Sequence, residues 1–170
     1  MSDSTRLDDL RRRIEKDPAS IAFAQLAEEC RRLGRHQEAV DICRHGLDRH
    51  PGYLSARVTL GRALLQLGQL DDAQQELDRV LQDAPQNLAA LRALGDVCKR
   101  RGDLPQAMAL FRTAIALAPN DPELERALAE LLETHSQSEN ERENVRRRSL
   151  VAALEQWLAA IHVTRAQRIA

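Results

Sequence analysis

The sequence predicts an all-α fold, a short solenoid of helical hairpins with an amphipathic helix at its C-terminal end. Three observations carry this expectation. Gly68 and Gly102, Ala73 and Ala107, and Pro85 and Pro119 each stand 34 residues apart, so one sparse pattern is written twice in register. Between these fixed residues the apolar side chains recur at helical spacing, and the helix breakers fall between the apolar runs. Self-similarity at such a period marks stacked repeats, in which no unit buries its apolar face alone.

Extended in both directions, the 34-residue spacing gives three units, at 20–53, 54–87 and 88–121. Their seventh and eighth positions are Leu26–Ala27, Leu60–Gly61 and Leu94–Gly95, and the eleventh are Cys30, Leu64 and Cys98. Gly34, Gly68 and Gly102 hold the fifteenth position, and Ala39, Ala73 and Ala107 the twentieth. The twenty-fourth is Cys43, Leu77 and Phe111, the twenty-seventh Gly46, Val80 and Ala114, and the thirty-second Pro51, Pro85 and Pro119.

This pattern resembles the tetratricopeptide repeat, whose signature runs W-x2-L-G-x2-Y, then A-x3-F, then P. The chain departs from it at the fourth position, which is Phe23, Arg57 and Leu91 instead of Trp, and lacks Tyr at the eleventh. The resemblance implies two antiparallel helices per unit, stacked into a short right-handed superhelix. The physics accounts for the letters that recur. Small residues at eight and twenty let two backbones approach closely. Gly at fifteen ends the first helix in a left-handed cap, and Pro at thirty-two cannot continue the second.

The flanks follow from the same reading. In residues 1–19, Leu7, Leu10 and Ile14 place one apolar face on a helix over 4–16, packed on the array, and Asp17–Pro18 mimics the end of a unit. Residues 122–135 supply the first helix of a fourth unit, with Leu128, Ala129 and Leu132 at positions seven, eight and eleven. No second helix follows in register. Residues 136–148 are polar and highly charged, and read as a flexible linker or the exposed start of a last helix. Over 149–168, Leu150, Leu154, Trp157, Leu158 and Ile161 form one apolar stripe on a C-terminal amphipathic helix. That stripe caps the solenoid, folding back over the face of 122–134, or docks on a partner, or pairs with another copy of the chain.

Composition narrows the function. The net charge is −1 and aromatics make up 2%, which argues against nucleic-acid binding by counterion release or base stacking. No apolar stretch is long enough to span a membrane, and the charged N-terminus, with no apolar run, predicts no signal peptide. The basic residues are nearly all Arg, Lys16 and Lys99 excepted, which points to a high-GC, bacterial source. Cys30, Cys43 and Cys98 sit at core positions as small hydrophobes and form neither a disulfide framework nor a metal site. His36, His45, His50, His135 and His162 have no partner at ligand spacing and read as surface residues. No phosphate-binding loop, metalloprotease motif or nucleophile elbow is present. The expectation is a cytoplasmic, non-catalytic protein without cofactor or metal, whose partner is another protein.

The resemblance also implies where a partner lies: in the concave surface lined by the first helices, at positions two, five, nine and twelve. These are Ile21, Ala24, Glu28 and Arg31, then Ser55, Val58, Arg62 and Leu65, then Ala89, Arg92, Asp96 and Lys99. The family's clamp for a C-terminal carboxylate needs Lys and Asn at five and nine of the first unit; Ala24 and Glu28 stand there instead. Val58, Arg62, Leu65, Arg92, Asp96 and Lys99 mix apolar and basic side chains. They suit an extended or helical peptide with apolar anchors and an acidic residue. The alternative function is a homo-oligomeric assembly protein that associates through the C-terminal helix.

Overall fold

The computed structural model describes the backbone of residues 3–17 and 20–167 and the side chains of 6–17 and 20–159. All regular structure among them is helical. The order is α1 (Asp3–Lys16), α2 (Ala22–Arg32), α3 (His36–Arg49), α4 (Leu54–Gln66), α5 (Leu70–Asp83), α6 (Leu88–Arg101), α7 (Leu104–Leu117) and α8 (Pro122–Gln167). Each of α2 to α6 packs on the next in the chain, and α2, α4 and α6 also touch in series. The first helices of the three units therefore form one row, with α3, α5 and α7 behind it.

The turns repeat because their chemistry repeats. Gly34, Gly68 and Gly102 have φ of 77°, 77° and 79°, the left-handed region. The N–H of the residue after each Gly (Arg35, Gln69, Asp103) donates to the carbonyl at position eleven (Cys30, Leu64, Cys98) at 2.9–3.0 Å. This 6→1 bond satisfies a carbonyl that the helix end would otherwise orphan. Helix starts are closed by side chains where the sequence supplies them. The carboxamide of Asn87 accepts the Ala90 N–H at 3.0 Å, and the Asp103 carboxylate accepts that of Gln106.

The hairpins close on the small residues. Ala27, Ala39, Ala73 and Ala107 are fully buried, and so are Cys30, Cys43, Leu77 and Val80. A Cβ built on Gly61 would fall 2.7 Å from Leu77, and one on Gly95 would fall 2.9 Å from Phe111. The contact is tightest in the first unit, where a Cβ on Gly46 would enter the Phe23 ring at 2.0–2.4 Å. Phe23 in turn stacks on His50, with ring centroids 5.9 Å apart and planes 9° from parallel. His50 is thus half-buried packing, not the surface histidine that its place in a turn suggests. At the N-terminus, Leu7 and Leu10 are buried and Ile14 packs on the same core, so α1 docks as its apolar face requires. Pro18 lies outside the described residues.

The chain divides into two compact units, 1–128 and 129–170. In the second, residues 136–148 are helical and mostly exposed, the start of a last helix and not a flexible linker, and α8 runs unbroken through them. A fold-back over 122–134 needs a break in α8, and the described residues have none. The described stripe residues Leu150, Leu154, Trp157 and Leu158 are exposed, at 49–66%. The side chains of Ile161 and His162 lie outside the described residues.

The partial fourth unit is buried on a face other than positions eight and eleven. Leu132 is 45% exposed and Ala129 exposed, whereas Leu124 and Leu131 are 1% exposed. Leu124 and Leu131 hold positions three and ten, which are fully buried in earlier units as Ala56, Ala63, Ala90 and Val97. Positions eight and eleven, by contrast, are covered in a complete unit by its own second helix. Here α8 continues straight on where a second helix would turn back, so among the described residues that face stays open.

Candidate functional site

Two adjoining cavities lie along the row of first helices. The larger, about 600 Å³, is lined among others by Ala24, Glu28, Ser55, Val58, Arg62 and Ala89. The smaller, about 340 Å³, is lined by Arg31, Arg62, Leu65, Arg92, Asp96 and Glu123 with three small or polar neighbours. Positions five and nine of successive helices are brought together because each helix repeats the turn phase of the one before. Arg62 borders both cavities. Lys99 and Ile21 border neither.

The two apolar members are deeper than their spacing suggests. Val58 and Leu65 are 7% and 4% exposed, so they form the floor between helices and offer a partner only their tips. Exposed contact comes instead from the polar rim. Tyr53, Gln25, Gln66 and Asn87 belong to the lining, although they occupy other positions of the repeat.

The charges form two networks. Arg31 donates to both oxygens of Glu28, at 2.9 and 2.7 Å, a bidentate pair along one helix. The Thr59 hydroxyl adds a third bond to Glu28 at 3.2 Å, reaching across from α4. Burial pushes the Glu28 carboxyl up, but Arg31, Arg62 and Thr59 together hold it below the usual carboxylate range. Arg62 reaches Glu28 only at 3.7 Å, with its side chain 42% exposed. Burial, with Arg31 and Arg92 close by, holds the Arg62 guanidinium below its ordinary value, although Glu28 and Asp96 favour its charge. The second network fixes Arg92, which donates to Asp121 at 3.2 Å and Glu123 at 2.6 Å. Asp96 sits among Lys99, Arg92, Arg100 and Arg62, yet burial dominates and pushes its carboxyl up.

The geometry therefore separates the residues singled out from the sequence. Arg62 keeps a loosely held charge between both cavities. Arg92 is committed to the start of α8. That commitment had no repeat signal, because Asp121 and Glu123 belong to the turn and helix that end the third unit and begin the next.

Comparison with known proteins agrees with this architecture. Two tetratricopeptide-repeat family models match, at residues 31–95 and 88–131. An FK506-binding protein-like protein of Rattus norvegicus is 41% identical over 79 residues, covering 46% of this chain and 21% of that protein. A CTR9 homolog of Arabidopsis thaliana is 44% identical over 63 residues, covering 36% and 6%. The chain thus spans about a fifth or less of the length of these curated relatives. Among solved structures, MamA residues 41 to the end from Desulfovibrio magneticus RS-1 superpose with a TM-score of 0.72 at 21% identity, covering 84% of this chain and 81% of that one. A thermophilic repeat protein of Thermus thermophilus, TTC0263, gives 0.70 at 25% identity, covering 78% and 74%. The first repeat domain of Spaghetti (RPAP3), bound to the HSP90 peptide SRMEEVD, gives 0.65 at 16% identity, covering 68% and 92%.

Proposed function

Since the chain belongs to the tetratricopeptide-repeat family, we propose that it is a non-catalytic adaptor that holds a peptide of a partner protein along α2, α4 and α6. The observation that carries this reading is Arg62. It stands half-exposed between two cavities, its nearest carboxylate lies 3.7 Å away, and that carboxylate is already bidentate to Arg31. An incoming Asp or Glu side chain would relieve the repulsion from Arg31 and Arg92 and replace a poor partner with a better one. The peptide would lie extended, with small apolar side chains over Val58 and Leu65. A free C-terminal carboxylate is not required, because the residues that clamp one are replaced by Ala24 and Glu28.

A cytoplasmic, bacterial setting is part of this proposal. Three buried thiols at core positions suit a reducing compartment, and no described helix is long and apolar enough to cross a membrane.

The test is a panel of fluorescein-labelled peptides that place one or two acidic residues between small apolar ones, read by polarisation against the full chain. Binding that Arg62→Glu weakens and Arg62→Lys largely keeps supports the reading. Equal binding of acidic and neutral peptides to wild type would sink it.

A further inference from the structure

We propose that two copies of this chain pair through α8, antiparallel, with the centre of the pair between Asn144 and Val145. This goes beyond the groove and rests on none of its residues. Four exposed groups of side chains share one face of α8. At 3.6 residues per turn, Leu150 lies five full turns after Leu132, and Trp157 falls within about 20° of the same line. Leu154, Glu139, Glu143 and Arg146 lie within about 40° of it. Along the helix this face reads apolar at Leu132, acidic at Glu139 and Glu143, basic at Arg146, and apolar again at Leu150, Leu154 and Trp157.

A face ordered in this way is complementary to itself at its centre and at its ends when reversed; between them Glu139, 3.6 Å from His135 of its own helix, falls opposite Leu150. Around the proposed centre, Glu143 of one copy meets Arg146 of the other, twice by symmetry. Leu132 meets Trp157, and His135 meets Leu154. A parallel pair would set Glu143 against Glu143 and Arg146 against Arg146. Two like-charged residues, Arg142 and Arg147, meet at the edge of the antiparallel pair. Arg147 there already has Glu143 of its own helix at 3.4 Å, with both side chains about 70% exposed. Glu143 keeps its second oxygen for the other copy.

The open half of the partial fourth unit gives the same answer from packing. Ala129 and Leu132 hold positions eight and eleven, which in each complete unit face an antiparallel second helix. The reversed α8 of a second copy brings Leu154, Trp157 and Leu158 to that face in the same antiparallel sense. Each copy thereby supplies the helix that the other lacks. Large apolar residues 45–66% exposed at both ends of one helix face have then a stated cover.

Sedimentation equilibrium of the full chain over a wide concentration range tests this. The wild type should reach twice the chain mass, with Trp157 emission moving to the blue as it does. Glu143→Arg and Arg146→Glu should each weaken pairing by about tenfold, because each turns two attractive contacts into two repulsive ones. The double variant carrying both changes should recover wild-type pairing, although Arg147 then has no acid at position 143. Leu132→Glu should weaken pairing from the far end. Circular dichroism confirms that each variant keeps its helix. A wild type that stays at one chain mass throughout would overturn the proposal and give the face to a different partner. Single variants that pair like wild type, or a double variant that fails to recover, would overturn the antiparallel register.

Discussion

The guanidinium of Arg57 donates to Glu76 at 2.6 Å and to the carbonyl of Pro51 at 2.7 and 3.1 Å, tying α4 to α5 and to the turn before it. Arg57 occupies the position at which the repeat consensus has Trp. The two side chains are 16% and 15% exposed, so an ion pair fills a place that Phe23 and Leu91 fill with apolar bulk. Removing Glu76 leaves a part-buried guanidinium that keeps its bonds to the Pro51 carbonyl. Glu76→Ala should therefore destabilise by roughly 1–3 kcal/mol. Arg57→Leu with Glu76→Leu should come close to wild type. Urea unfolding of the three proteins measures both.

Gly46→Ala adds a methyl inside the Phe23 ring. Overpacking of this kind costs about 1–3 kcal/mol. Gly52→Ala is the control, since a Cβ there meets nothing within 4 Å. Thermal melts should separate the two variants clearly; equal melts would mean that Phe23 moves aside freely.

Gly68→Ala tests the turn and not the packing. Nothing lies within 4 Å of the added Cβ, but φ is 77°. The expected loss is about 1 kcal/mol, the strain of an L-residue in the left-handed region. Asn at the same position should recover part of it, because its side chain tolerates that region better. Denaturant midpoints of the three proteins rank them.

Burial pushes the Cys43 thiol up to about 12 from 9.0, and raises those of Cys30 and Cys98 as well. The folded state therefore holds these protons at pH values where the unfolded chain releases them. Stability from this source is fully present below about pH 9 and falls as pH rises from there toward 12, by up to about 1.4 kcal/mol per pH unit for Cys43. Denaturant midpoints between about pH 8 and 10.5, spanning the ordinary thiol range, should fall more steeply for wild type than for Cys43→Ala. In the same range, native Cys43 should resist alkylation until the protein is unfolded.

What was legible in the sequence follows from what repeats. Gly34, Gly68 and Gly102 announced the left-handed turns, and the buried alanines announced the hairpin contacts, because backbone geometry forces the same residue type three times. The place of Arg62 in the row of first helices was legible only through the resemblance, which sets position nine of each unit on the concave surface. The pair Arg57–Glu76 was not, since its members sit 19 residues apart and no other unit repeats them. Nor was the unbroken α8. The polarity of 136–148 reports exposure to solvent, not backbone conformation. The better signal was the lack of Gly or Pro anywhere from 123 to 167, reinforced by Glu143 and Arg147 at helical ion-pair spacing.

The contacts of α2 to α7 run mainly between neighbours along the chain, with α2 to α4 and α4 to α6 as the longest steps. Such a chain orders itself like a zipper. Any hairpin can serve as the seed, closing each next helix requires only a short loop, and folding is fast for the length. Opening follows the same route in reverse. Amide exchange should therefore be slowest in α4 and α5 and quicken toward both ends of the array, in a gradient set by rank along the chain and not by depth below the surface.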